Sequence, residues 1–585
     1  MRLPLPRRSP ISHLIGTIEL APTSDRLLLR LAFFAMIGAG IFFLLSLNES
    51  TMRLVPGHGG TLTEGIIGTP RFVNPTLALT RADRDVATLV YSGLMRLSPD
   101  GELVPDLAES VTIAEDGRTY NVVLRRDARF HDGTPLTSRD VAFTIQLIQD
   151  PALKSPLQGN WSDVTVEVLG EYELNIVLSE PYAPFINNFT LGIVPHHIWS
   201  ELPVEQLPFS QHNTAPVGSG PFEIGRVHRG SAGLITGYTL RPADTHPSDP
   251  NLASFELRFF ENEETLTEAF TDGDIMSTTH LPPEVAETLG TEPSVTIIEE
   301  PLPRIFGVFL NQNRSPALRD ATAREALSVA IDREQLIDTA LAGFGVPTTR
   351  PVLFGTGTVA LGATSTPEIA TTSATATPPR LARAEAVLRD GDWSQNDIGQ
   401  WEKRIDGQDV PLAFTISTSN TPLFTTVANE VAAQWRALGV EVELAQYEQS
   451  GLVQSVIRTR DFESLLFGID LNRAQDLYPF WHSSQQDDPG LNIAQYANIT
   501  VDDLLEEARA EQDRDARIET TLAAATTIAD EAPAVFLFAP TLVYATDAAL
   551  VTPPINNLST PSDRFMNVSE WYTRTSRLWP WFATE

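Results

Sequence analysis

Apolar and polar positions alternate with period two over residues 120–125. Tyr120, Val122 and Leu124 share one face, and Asn121, Val123 and Arg125 share the other, which predicts a half-buried strand. The turn dipeptide Asp116-Gly117 leads into it, and a second turn, Asp132-Gly133, follows Phe130. Thr137-Ser138-Arg139-Asp140 then forms a capping box with Asp in the usual Glu position. Val141, Ile145 and Ile148 fall at helical spacing beyond it, and Pro151 closes the helix.

The same patterning predicts helices over 85–97, 264–274, 318–337 and 501–508, and strands over 172–178, 304–311 and 534–539. Residues 411–418, 425–438 and 440–444 read as strand, helix and strand, with Val427, Val431 and Trp435 on the apolar helix face. Such a βαβ unit implies a parallel sheet. The 318–337 helix, with Arg324 and Arg333, reads as a packed and salt-bridged face. Residues 356–379, rich in Thr, Ala and Pro, read as an exposed loop or insertion.

Near the N-terminus, residues 31–47 carry no charge and follow Arg2, Arg7, Arg8, Arg26 and Arg30. A transmembrane signal anchor is predicted over 27–48, with 1–26 a cytoplasmic tail and the bulk of the chain outside the cell membrane. A cleaved secretory signal is the competing reading, although no A-x-A site precedes Asn48.

A chain of 585 residues exceeds one ordinary core, so two or more lobes are expected. The net charge of −34 repels phosphates and sets nucleic acid aside as a partner. The absence of cysteine removes disulfides, thiolate metal sites and thiol catalysis, along with a lipidated cysteine tether. There is no H-E-x-x-H and no P-loop. No catalytic residue, metal site or cofactor is therefore assigned, and the chain is not expected to be an enzyme. His196 and His197 are adjacent and project in different directions, a poor chelating pair, so a structural role is expected.

The string Phe130-His131-Asp132-Gly133-Thr134-Pro135-Leu136-Thr137, followed by Asp140-Val141, resembles the signature of the family 5 solute-binding proteins of ABC importers. Further segments are similar to that family in its order. They include Tyr91-Ser92-Gly93-Leu94, Val104-Pro105-Asp106-Leu107-Ala108, Pro195-His196-His197-Ile198-Trp199 and Pro216-Val217-Gly218-Ser219-Gly220-Pro221-Phe222. The resemblance covers roughly 56–545.

It implies an α/β, two-lobe periplasmic-binding-protein fold of type II in its large three-subdomain form. Lobe I would comprise 56–85, 215–300 and 540–585, its extra subdomain 86–214, and lobe II 301–539, with the aromatic C-terminus (Trp579, Trp581, Phe582) packing on lobe I. The implied function is extracytoplasmic capture of di- and oligopeptides in an interlobe cleft and their delivery, by a monomer, to ABC permease and ATPase subunits. An oligosaccharide, a nickel chelate or another small solute is the alternative cargo, and an exported docking or sensor module without transport is the alternative role.

The ammonium end of a buried peptide requires a carboxylate partner, because an unpaired buried charge is very costly. In the family's peptide binders that carboxylate lies on the segment matching 468–476. This implicates Asp470 first and Asp476 as the alternative, against a turn acid or a salt bridge. Tyr91, Tyr478 and Trp481 are candidate cleft aromatics or core residues. Asn74, Ser219 and Asn311 would hydrogen-bond ligand backbone or cap loops. Gly218 and Gly220 allow close approach by a ligand or by a neighbouring chain segment.

Overall fold

One strand, Ala534–Asp547, organises the main sheet. Its first six residues, AVFLFA, are buried, as a strand covered on both faces requires. This part pairs antiparallel with Arg304–Leu310, setting Ala534 opposite Phe309 and Phe538 opposite Phe306. The second part pairs antiparallel with Val295–Pro301, from Thr541 opposite Pro301 to Asp547 opposite Val295. Only Leu302-Pro303 separates those two partner strands, and the Leu302 N–H donates to the Pro540 carbonyl at 3.0 Å. The chain therefore crosses between the two halves of the sheet at two adjacent points.

The computed structural model describes residues 22–51, 53–353 and 379–578, which fall into two units: Gly59–Thr573, and Met1–His58 with Arg574–Glu585. In the larger unit, the path through the twelve-stranded sheet runs Glu441–Tyr447, Ala413–Ser419, Ser464–Asp470, Arg304–Leu310, Ala534–Asp547, Ser277–Thr278, Thr61–Ile67, Ser254–Phe260, Ile235–Pro242 and Phe222–Arg229. The predicted βαβ unit is present: Ala413–Ser419 and Glu441–Tyr447 pair in parallel across the helix Pro422–Leu438. A separate four-stranded antiparallel sheet orders Ala108–Ile113, Thr119–Leu124, Glu173–Leu178 and Val164–Gly170. It packs Tyr120, Val122 and Leu124 with Val141, Ile145 and Ile148 of the helix Ser138–Gln149 in one core. That helix carries the predicted capping box of Thr137 and Asp140.

Two helices differ from expectation. The helix predicted over 85–97 is Arg81–Val90, because Thr80 and Asp83 form a capping box upstream. Tyr91 is extended (φ −121°, ψ 136°), and Met95–Leu97 forms a strand. The region 318–337 is cut into Pro316–Arg319, Ala321–Ala330 and Arg333–Leu341. Asp320 and Asp332 each cap the next helix, accepting from the N–H of Ala323 and Gln335. The face is salt-bridged through its acids, Asp332 to Arg380 at 2.8 Å and Asp320 to Lys403 at 2.6 Å, and not through Arg324 or Arg333. Arg324 donates to the carbonyls of Glu531, Leu318 and Arg319, and Arg333 to those of Thr348 and Phe536.

In the smaller unit, the helix Thr23–Thr51 is followed by Arg53–Pro56, which pairs antiparallel with Thr575–Leu578. Among the described residues, no helix is long and apolar enough to cross a membrane. The tail 1–21, nearly all of the Thr/Ala/Pro-rich segment, and Trp579, Trp581 and Phe582 lie outside the described residues.

A buried charge network joins distant segments of the larger unit. Arg564, with no side-chain exposure, pairs with Glu64 at 2.8 Å and Asp85 at 2.9 Å, both equally buried. Glu64 also accepts from Tyr544 (2.8 Å) and Ser277, and Asp85 accepts from Ser562. Burial opposes every charge in the group. The attraction wins, holding the Arg564 pKa above its ordinary value and the Asp85 pKa below. Replacing Arg564 by Leu leaves two buried carboxylates without their cation. We expect Arg564→Leu to lower the unfolding free energy by about 3–5 kcal/mol, read from urea titrations.

Candidate functional site

The two most distinctive sequence motifs meet each other. In 130–137 the chain reverses at Gly133 (φ 84°), with the Phe130 N–H on the Thr134 carbonyl and the Thr134 N–H on Asp132 Oδ1, both 2.9 Å. This turn aims His131 at the loop 216–222. The His131 N–H donates to the Gly218 carbonyl at 2.8 Å. The Gly218 N–H donates to ring Nδ1 at 3.3 Å, so Nε2 bears the proton and donates to the Gly220 carbonyl at 2.9 Å. Burial holds the imidazole pKa below its usual value, consistent with a neutral ring. A Cβ on Gly218 would lie 2.0 Å from the Val90 carbonyl oxygen, and the Gly220 N–H donates to that same oxygen at 2.8 Å. The glycines thus admit the end of the helix Arg81–Val90, and the clamp fixes the extended segment that follows it.

That segment borders a cleft of about 1670 Å³. One wall presents Tyr91, Ser92, Arg96, Asp106, Trp161 and Tyr182, and the other presents Asp470, Asp476, Tyr478 and Arg509. Asp476 is tightly held, its side chain only 6% exposed. Arg509 reaches its Oδ2 through Nη2 at 2.8 Å and Nε at 2.9 Å. Tyr182, from the opposite wall, donates to the same oxygen at 3.1 Å, and the Tyr478 N–H donates to Oδ1 at 3.0 Å. The Arg509 guanidinium lies between two rings, 4.1 Å from Tyr478 and 4.8 Å from Tyr182, a cation–π sandwich. Asp470, by contrast, is 54% exposed at its strand end and pairs with Arg304, its cross-strand partner, at 2.8 Å.

At the other wall, the Ser248 N–H donates to His246 Nδ1 at 3.1 Å. This puts the ring proton on Nε2, which faces Ser92 Oγ at 3.4 Å with Asp106 Oδ1 4.0 Å away. Burial, reinforced by the charges of Arg96 and Arg125, pushes the His246 pKa down from 6.5 to about 4. Burial pushes the Asp106 carboxyl the other way, above its usual range.

Of the residues singled out from sequence, Asp470, Asp476, Tyr91 and Tyr478 line the cleft. Tyr91 is nearly buried, and its phenol, without a hydrogen-bond partner, has its pKa raised by burial. The remaining residues have contacts elsewhere. Asn74 Oδ1 accepts from the Thr76 N–H and hydroxyl. Asn311 Oδ1 accepts from the Asn313 N–H, and its amide donates to Arg460. Trp481 is fully buried in a core with Phe309 and Phe536. Ser219 Oγ accepts from the Ser92 N–H at 3.4 Å. His197 contacts Asp132 at 2.7 Å, and the His196 N–H donates to Asp140.

Sequence reasoning missed Tyr182, Arg509 and Asp106 as cleft residues. Tyr182 sits in the E-P-Y-A-P-F string just past a strand that was recognised, and its two prolines signalled an ordered turn. Arg509 ends the helix Ile499–Ala510, and no local pattern tied it to Asp476, 33 residues earlier.

A sheet in two halves, crossed twice by the chain, with a large cleft between two walls of mixed chemistry, defines a solute-binding protein of the α/β periplasmic-binding-protein fold. Residues 102–489 match the bacterial extracellular solute-binding proteins, family 5, and the chain belongs to that family. The oligopeptide-binding protein AppA of Bacillus subtilis is 26% identical over 499 residues, covering 83% of this chain and 87% of that protein. Its structure in complex with a nonapeptide aligns with TM-score 0.63 and 25% identity, over 88% of this chain and 99% of that one. The nickel-binding periplasmic protein of Escherichia coli is 26% identical over 379 residues, covering 62% of this chain and 67% of that protein. The protein is accordingly a substrate-binding component of the ABC-transporter type.

One consequence of the buried ring can be checked directly. An imidazole held neutral when folded is protonated first in the unfolded chain. The contribution of His246 is therefore complete above about pH 6.5 and is lost as pH falls toward about 4. We expect the unfolding free energy to drop by on the order of 3 kcal/mol from this group across that range. His246→Gln should flatten the slope in denaturant titrations at successive pH values.

Proposed function

We propose that the protein captures peptides in the cleft and delivers them to a membrane permease driven by ATPase subunits. Its role is binding and release, with no chemical step on the solute. The observation that carries this reading is the size of the cleft. At about 1670 Å³ it exceeds the roughly 300–1,000 Å³ of ordinary small-molecule pockets and suits an extended, multi-residue ligand. Its lining supports the same reading. Tyr182, Tyr478 and Trp161 supply apolar surface for side chains of differing shape, while polar groups on both walls can pair with a peptide main chain whatever its sequence. The Tyr182–Asp476–Arg509 contact bridges the walls and would hold them together over a ligand.

Of the two acids expected to meet a peptide's ammonium, Asp476 is committed to Arg509, Tyr182 and the Tyr478 N–H. Asp470 is exposed, but an arginine already sits on it. The relative AppA, bound to a nonapeptide in its own structure, favours a peptide over a chelate or a sugar. Native mass spectrometry of the purified protein, before and after mild unfolding, tests the proposal. We expect a ladder of small peptides to be released, whereas a single non-peptide mass would replace this reading.

We further propose that residues 27–48 tether the binding unit to the cell membrane with its bulk on the extracytoplasmic face, raising its effective concentration beside the permease. The uncharged run 31–47 and the arginines preceding it support this. Deleting residues 1–52 should move the exported protein to the soluble fraction, and retention of all of it in the membrane fraction would rule the tether out.

A further inference from the structure

The acids of the cleft are not equivalent. Asp470 is held by Arg304, Asp476 by Arg509 and Asp563 by Arg473, while Glu506 faces His482 at 3.3 Å. Asp163 and Glu180, also in the lining, are exposed to solvent. Asp106 remains. It follows the short strand Leu103–Pro105, its N–H donates to the Leu94 carbonyl at 3.0 Å, and its side chain lines the cleft while being only 13% exposed.

The titratable and charged groups facing Asp106 are His246, Arg96 and Arg125. None of them neutralises it at contact. The ring of His246 is neutral, with its proton on the Nε2 edge 4.0 Å away. The Arg96 guanidinium is engaged with the Leu97 carbonyl and Asn567 Oδ1, and that of Arg125 with Asp127. Ser92, whose hydroxyl faces His246 Nε2 at 3.4 Å, lies beside Asp106 in the cleft lining. A largely buried carboxyl with no cation at contact is an expensive arrangement, and a cation delivered to it by a ligand would relieve it.

We infer that Asp106 is the residue that takes the cationic group of the ligand, in a peptide its terminal ammonium, and so sets the preference for ligands with a free amino end. Ser92 and His246 stand beside it. The chain of donors from the Ser248 N–H through His246 to Ser92 fixes these groups next to the carboxyl without adding a competing charge. The inference rests on the peptide reading above for the identity of the ligand, but not for the chemistry of the group.

The test is equilibrium dialysis of the full chain against equimolar pools of random pentapeptides with free and acetylated N-termini, with retention read by mass spectrometry. The wild type should favour the free pool by about 100-fold. Asp106→Asn should bring the ratio close to one, and Asp470→Asn should preserve it. Asp106→Asn removes a poorly partnered charge and should fold, which its thermal midpoint verifies. A ratio that survives Asp106→Asn and is lost in Asp470→Asn overturns the inference while leaving peptide capture standing. If the wild type retains neither pool, the peptide reading fails instead, and agmatine then decides the role of Asp106: binding abolished by Asp106→Asn supports it, and no binding overturns it.

Discussion

The ion cluster around Arg564 is the constraint on which the larger unit depends. Its members come from five places: Glu64 on the first strand of the main sheet, Asp85 on the helix Arg81–Val90, Ser277 on a two-residue strand, Tyr544 on the long shared strand, and Ser562 with Arg564 near the end of the unit. Each carboxylate is taken out of water at a cost of several kcal/mol (~) that only the shared guanidinium offsets. Contacts of this kind favour one arrangement of the segments, since any other leaves a charge buried alone. The helix so fixed ends at Val90, where the glycine loop docks and the extended border of the cleft begins. The position of Ser92 and Tyr91 in the wall thus traces back to a salt bridge outside the cleft lining.

Much of the architecture was legible in short-range pattern. Period-two alternation over 120–125, the Asp-Gly turns and the Thr137–Asp140 cap each specify their own backbone, and all three formed. The βαβ unit was readable because its apolar positions also lie close in sequence. The errors fell where a residue's role is decided by a distant partner. Asp320 and Asp332 fall within the single helix expected over 318–337, yet each caps a new helix and breaks the expected one. Arg324 and Arg333 read as salt-bridge formers, and the structure turns both onto carbonyl groups.

The cleft shows the same division. Asp470 and Asp476 were found through a family likeness, which marks where an acid stands but not which cation already occupies it. Tyr182 and Arg509 approach Asp476 from 294 and 33 residues away, separations no periodicity can reveal. The glycines of 218–220 illustrate the converse. Their need for space was plain in the sequence, and the structure identifies the neighbour that requires it as the Val90 backbone.

The shared strand Ala534–Asp547 also bears on how such a chain is made. Both halves of the main sheet have this strand in their interior, yet 533 residues must emerge before its first residue does. Arg564, which neutralises two carboxylates laid down near the start of the unit, follows later still. Synthesis proceeds from the N-terminus, and contacts of such high sequence separation form slowly. Throughout most of its elongation the chain lacks the pieces that close either half. Its topology thus delays closure of either half until the last part of the chain has been made.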